Sequence, residues 1–209
     1  MKVVIVGKTK MHGGVCIGAI AIDSLESMRL IPPGQACNPT STPFAIGDLW
    51  DVDIKKRRKS NPPHVEDHDF FKRKKVGSLP ELEVWLRTHI KTWTGLPADL
   101  FDGAIKFRGS STAFVAESGP APNQSTGFWV LPRMLEYCPF VDNQGKVHAK
   151  YALAGSAPIV LPYVGFAPPA KFINSGKLVR LSLSRPWKNA PENIKEERER
   201  HSVQLSGWF

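Results

Sequence analysis

The sequence predicts a mainly β protein: two small β-barrels packed together, with one inserted helix. Three observations carry this. Short apolar runs alternate with period two, turn residues separate them, and a single stretch has helical spacing. Eighteen prolines and seventeen glycines are many for a helical protein, and they fall between the apolar runs. At 209 residues the chain is long enough for one large domain or two of about 100 residues each, and the pattern divides it into 1–104 and 105–209. Hydrophobic residues at 42% and charged residues at 22% belong to a folded globular chain rather than a disordered one.

The elements follow in order. Val3-Val4-Ile5-Val6 reads as a buried strand, Gly13-Gly14 as a turn, Val15 to Ile22 as a second strand and Met28-Arg29-Leu30-Ile31 as a third, stopped by Pro32-Pro33-Gly34. After a Pro, Ser and Thr-rich loop, Trp50, Val52 and Ile54 alternate with Asp51 and Asp53, as on a strand with one buried face. Ser78-Leu79-Pro80-Glu81 has capping-box spacing, and Leu82, Trp85, Leu86, His89 and Trp93 recur at helical steps, which predicts a helix over about 79–91 with Trp85 and Trp93 on its buried face. From Ile105 the β pattern restarts. Strands are expected at Phe114-Val115, Phe128 to Leu131, Val147 to Leu153, Ile159 to Leu161 through a turn containing Gly155, Leu178 to Leu183, and Ser202 to Phe209. Glu192 to Arg200 is too polar for a core and reads as a solvated loop or short helix. Small barrels of this size and turn density suggest the OB fold.

The net charge is +9, and its distribution says more than its total. Between Lys55 and Lys75 stand nine basic residues (Lys55, Lys56, Arg57, Arg58, Lys59, Lys72, Arg73, Lys74, Lys75) against Glu66, Asp67 and Asp69, so two thirds of the net charge lies in 21 residues. Such a local field draws polyanions. No apolar run approaches the ~20 residues of a membrane span, and Met1-Lys2 leads into a short strand rather than a secretory h-region. The expectation is a cytoplasmic protein without membrane contact. Cys16, Cys37 and Cys138 are odd in number and form no Cys-x-x-Cys pair, against both a disulfide scaffold and a cysteine-rich zinc site.

Several segments resemble one family. Val3 to Val6, then Lys8-Thr9-Lys10-Met11-His12-Gly13-Gly14-Val15-Cys16-Ile17-Gly18 and Met28-Arg29-Leu30-Ile31, resemble its pattern of strand, basic residue, Gly-Gly, Cys and a later Arg. Ile46-Gly47-Asp48-Leu49-Trp50-Asp51-Val52 resembles its G-D-x-x-D-V strand, and Lys177 to Trp187 with the closing strand to Phe209 resembles its C-terminal part. The chain is thus similar to the dual OB-fold domain proteins of bacterial genomes, which occur among predicted conflict and phage-defence systems. The resemblance implies two OB folds and nucleic-acid binding, with an effector protein as a possible partner.

Function is expected to be non-catalytic binding of single-stranded or structured nucleic acid, DNA or RNA, with no cofactor and no metal. The basic runs would follow a phosphate backbone, and Trp50 on the adjoining strand would stack a base. Trp129, Trp187 and Trp208 also lie on or near strands, although a strand tryptophan is by default core. Lys8, Lys10, His12 and Arg29 would form a ligand-facing patch where Gly13-Gly14 permits close backbone approach. Enzyme readings are weaker. His64-Val65-Glu66 resembles half of a zinc-deaminase signature, but no Pro-Cys-x-x-Cys exists. His64 and His68 could seat a metal with Glu66, Asp67 or Asp69, yet Pro62-Pro63 precede them and no distant third ligand is evident. Cys16 beside His12 sits in an apolar strand, where a thiol is inert. No phosphate-binding glycine loop is present. The alternatives are a metal-dependent nuclease using Asp67 or Asp69 with Lys72, and a protein-interaction module.

Overall fold

The computed structural model describes residues 1–58, 62–109, 111–153 and 159–209. Lys59 and the turn containing Gly155 lie outside the described residues. The first unit is a closed barrel of five strands: β1 (Lys2–Met11), β2 (Gly14–Ala21), β3 (Ser27–Ile31), β4 (Asp48–Lys56) and β5 (Asp67–Ser78), in the order β1-β2-β3-β5-β4. All neighbours are antiparallel except β3 and β5, which run parallel with Arg29 opposite Asp67. Closure leaves no free edge in this barrel. Val3, Ile5, Ile17, Leu30, Val52 and Phe70 fill its interior with Phe44 and Trp50.

The one α-helix among the described residues, α1 (Leu82–His89), is shorter than expected. Its capping box does not form. Ser78 is the last residue of β5, paired with Asp48, and the Leu79 amide donates to the Gly47 carbonyl, so the sheet holds the backbone that the cap would need. Glu81 precedes the helix in a left-handed conformation with no side-chain cap. Trp93 is not on the helix. It belongs to β6 (Thr92–Trp93), which pairs in parallel with a strand of the second unit.

The second unit contains β7 (Ile105–Arg108), β8 (Thr112–Ala116), β9 (Thr126–Val130), β10 (Leu135–Tyr137), β13 (Lys150–Leu153), β14 (Val160–Pro162), β15 (Phe172–Ile173), β16 (Leu178–Leu183) and β17 (Arg200–Trp208), with β11 (Phe140–Val141) and β12 (Val147–His148) as a separate ribbon. The strand expected over Val147 to Leu153 is thus divided between β12 and β13. The main order is β15-β10-β13-β14-β8-β17-β16-β9-β6, with β7 added on β8. Laid flat, nine strands would put the two edges roughly 40 Å apart. Yet Ile173 of β15, Trp129 of β9 and Trp93 of β6 reach one core cluster, so the sheet curls around it. Glu192–Glu199 forms a short 3-10 segment on the polar stretch.

The two units share a buried seam. Val3 and Ile5 point into the barrel, while Val4 and Val6, the alternate residues of the same strand, pack outward with Ile20 against Leu86, Phe128 and Leu178. The continuous apolar run at the N-terminus is therefore a strand covered on both faces. Leu86, the one fully buried residue of α1, wedges the helix into this seam. The chain is mainly β and built of two packed units with one inserted helix, as its patterning predicts. No helix is long and apolar enough to cross a membrane among the described residues.

Candidate nucleic-acid interface

Two features stand at the loop ends of the first barrel. OB folds bind ligands through the loops joining their first two and last two strands. Here these are the β1–β2 turn at His12-Gly13 and the β4–β5 connection, of which 57–58 and 62–66 are described.

The first feature is an open groove of about 710 Å³ lined by Lys55, Lys56, Arg57, Arg58, Phe71, Gly34, Gln35 and Asp69. Its cations divide into two groups. Arg57 is structural: it donates to Asp69 at 2.8 Å and to the carbonyls of Pro32 and Gln35, closing the end of the barrel. Lys56 reaches Glu26 at 3.4 Å. Farther along the β4–β5 hairpin, Lys75 pairs with Asp48 at 2.6 Å, and the Arg73 guanidinium lies over Phe44 and Phe70, capping the core. Lys55, Arg58, Lys72 and Lys74 are exposed and make no ion pair among the described residues. Phe71 is 58% exposed in the groove wall.

Trp50 does not have the role expected of it. It is 6% exposed and meets Phe44 edge to face at 4.7 Å, inside the barrel, so no ring face is open to a base. It lies on the inward set of β4, and the alternation that identifies the strand also points the ring to the core. Trp129 is fully buried, and Trp208 packs against Tyr151 and Tyr163. Trp187 is 54% exposed.

The second feature is a pocket of about 240 Å³ between the two units. It gathers Lys10, His12 and Arg29 from the first barrel with His64 and Glu66 from the β4–β5 loop and Arg180 and Arg185 from the second unit. Lys8 is elsewhere: its ammonium donates to the carbonyls of Thr42 and Phe44 and sits over Phe166. Arg29 does not offer its fork to a ligand. Nε and Nη2 each donate to Asp67 at 2.6 Å, and Arg185 donates to the same carboxylate at 2.8 Å. Bidentate pairing of this kind is strong and directional. Glu66 accepts from the Ser125 amide at 2.6 Å and its hydroxyl at 2.8 Å, a further bond across the seam.

Gly14 allows a close approach, but by the chain itself. The Asn38 carbonyl accepts from the Val15 amide there, and a β-carbon on Gly14 would stand 2.2 Å from that oxygen. Cys16 lines the pocket, and burial pushes its thiol pKa up, in keeping with the inert thiol expected in this strand. Asp67 is held by Arg29 and Arg185 and Asp69 by Arg57, and no group of three or more His, Cys, Asp or Glu converges to hold a metal among the described residues.

Arg180 and Arg185 join the site without having been expected there. Both stand in the C-terminal segment whose pattern resembles the family, and the isolated arginine inside an apolar strand is the available signal. The β16 alternation puts Val179, Leu181 and Leu183 in the second core, so Arg180 and Ser182 share the other face. That face looks like a solvated one in sequence, but the first barrel covers it.

His64 accounts for a pH effect. Its ring is 6% exposed, bonded to the Ser184 carbonyl at 3.2 Å and 5.3 Å from the His201 ring. Burial first, then Arg185 and His201, push its pKa down to about 4. The unfolded chain therefore takes up a proton near pH 6.5 that the folded chain refuses until about pH 4. Stability from this group is complete above pH 6.5 and falls as acid is added, by about 3 kcal/mol at pH 4. Urea denaturation at pH 7, 5.5 and 4 should show this loss in the native chain and not in His64→Gln, after the changes common to both are subtracted.

A closed five-stranded barrel, packed through a polar and apolar seam on a second curled sheet, defines a protein of two OB-like units. The chain belongs to the dual OB-containing domain family, whose model matches residues 1–208. No curated protein and no solved structure matches it.

Proposed function

We propose that this protein binds single-stranded or structured nucleic acid without catalysing a reaction on it. The observation that carries the reading is the groove beside the β4–β5 loop, where Lys55 and Arg58 make no ion pair among the described residues and line one wall with the exposed ring of Phe71. Unpaired cations attract the backbone, and an open aromatic ring stacks a base of any identity. Lys72 and Lys74 extend the positive surface along the same hairpin. OB folds are a frequent host for this chemistry. The resemblance to proteins of conflict and defence systems extends the proposal to a sensor or targeting subunit that works beside an effector protein, and the genes adjacent to this one are its first check.

The test is a titration against single-stranded DNA and RNA over a range of salt. Removing one cation that neutralises a phosphate should reduce the slope of log affinity against log salt by about 0.7, so Lys55→Gln with Arg58→Gln should reduce it by about 1.4. Phe71→Ala should weaken binding by about 1–3 kcal/mol with the slope unchanged. No binding at low salt, or an unaltered slope in the double variant, would sink the proposal.

A further inference from the structure

Arg180 is a buried cation that no carboxylate touches among the described residues, although the charge of Glu66 acts on it from farther off. It extends from β16 into the seam and is 5% exposed. Its guanidinium lies on bare backbone of β1 and β2: a β-carbon at Gly7 would stand 3.0 Å from it, and one at Gly18 2.5 Å. Nη1 donates to the Ser206 hydroxyl at 3.1 Å, and Nε is buried with no partner. No carboxylate pairs with it among the described residues. Glu66 accepts from the neutral Ser125 amide and hydroxyl, so its charge still bears on Arg180, whereas Asp67 is shared by Arg29 and Arg185. A buried charge in this condition is costly, and neighbours normally supply the opposite sign. Here Glu66 supplies part of it, and the positive excess that remains faces the pocket.

We infer that the pocket between the two units binds a phosphomonoester group, with Arg180 as its buried anchor. Charge selects this chemistry. Lys10, Arg29, Arg180 and Arg185 bring four positive charges, and Glu66 and Asp67 two negative ones. The excess of two matches the charge of about −1.5 to −2 on a phosphomonoester, whereas a carboxylate or a phosphodiester carries one. A guanidinium fork fits phosphate oxygens well. The volume of about 240 Å³ lies just below the usual range of about 300–1,000 Å³ for ligand pockets, room for a small anionic group and not for a duplex. Such a group comes either from a free mononucleotide or from the phosphorylated end of a strand. The second source deepens the proposed function and rests on it; the first does not.

The experiment is calorimetric titration of the full chain with two matched pairs: thymidine and thymidine 5′-monophosphate, and a four-nucleotide oligothymidylate with a 5′-hydroxyl or a 5′-phosphate. In at least one pair the phosphorylated member should bind tenfold tighter or better, and Arg180→Gln should abolish the preference. A second variant guards against misfolding. Ser182→Asp, on the same face of β16 and in the pocket wall, leaves Arg180 in place and should also abolish it by placing a negative charge there. A preference larger in the oligonucleotide pair assigns the site to strand ends; one of equal size in both assigns it to free nucleotides. Lys55→Gln with Arg58→Gln should keep the preference while lowering the salt dependence of strand binding, which separates a failure of the groove from a failure of the pocket. Equal binding within both pairs, or a preference that survives both pocket variants, overturns the inference.

Discussion

Asp67→Asn should destabilise the protein by about 3 kcal/mol, because one carboxylate neutralises two guanidinium groups at the seam. Asp67 is 6% exposed, and Arg29 has little water to turn to, its side chain being 18% exposed. The amide would carry no charge, and it would turn an N–H pair toward donors that need an acceptor. Arg185 can escape, since it is half exposed, so the loss falls mainly on Arg29. For a chain of this size each kcal/mol shifts the melting temperature by about 2–4 °C, so a fall of about 6–12 °C is expected. Arg29→Met in the Asp67→Asn background should recover part of it, since it removes the stranded charge. The same variant separates this reading from a metal-dependent nuclease. If Asp67 also held a metal for hydrolysis, Asp67→Asn would in addition abolish a Mg²⁺- or Mn²⁺-dependent cleavage of labelled DNA or RNA by the native chain.

Gly14→Ala should cost more, about 3–5 kcal/mol, and Gly13→Ala much less. The two glycines are adjacent but needed for different reasons. Gly13 has a φ of +81°, and the space a methyl group would take there has no neighbour within 4 Å, so only backbone strain of about 1–2 kcal/mol opposes a side chain. At Gly14 the new methyl would meet the Asn38 carbonyl oxygen at 2.2 Å and the Cys37 sulfur at 2.8 Å. Asn38 cannot withdraw easily. Its amide and carbonyl pair with Val15, and its side chain donates to the Leu30 carbonyl at 2.7 Å. Relief of the overlap would break buried hydrogen bonds, each worth about 1–3 kcal/mol when a partner is stranded. Thermal melts of the two variants check this directly. Equal melting temperatures would show that the turn conformation, rather than the strand-to-loop contact, is what requires glycine.

The candidate site is legible in sequence to different depths. The charge window between Lys55 and Lys75 can be found by counting, and its exposed members are on the surface as expected. Which of them are free cannot. Arg57, Arg73 and Lys75 are taken by Asp69, by Phe44 and Phe70, and by Asp48, partners brought near by the closure of the barrel. Trp50 stands close to the basic run in the chain but faces the core, whereas Phe71, which carries no such prominence in sequence, is the exposed aromatic beside the groove cations. Lys10, His12 and Arg29 do converge, while Lys8 on the same strand turns to the loop at Thr42 and Phe44.

Local chemistry in the sequence is sufficient for most of the strands, the turns, the presence of a helix and the concentration of charge, because alternation, glycine and proline act over a few residues. It is not sufficient for β5 (Asp67–Ser78), whose run of charges carries no apolar alternation and reads as a basic loop. What covers each strand is decided only by the tertiary structure. Period two states which side chains share a face and is silent on what that face meets. So Val4 and Val6 look like more of the barrel core and instead form the seam, and Arg180 and Ser182 look solvated and instead form the wall of a pocket. The pocket exists because two units, remote in sequence, bring a buried guanidinium against two glycines. The basic, aromatic-bearing β scaffold read from the chain is present in the fold, but its most constrained cation is one that charge counting alone could not single out.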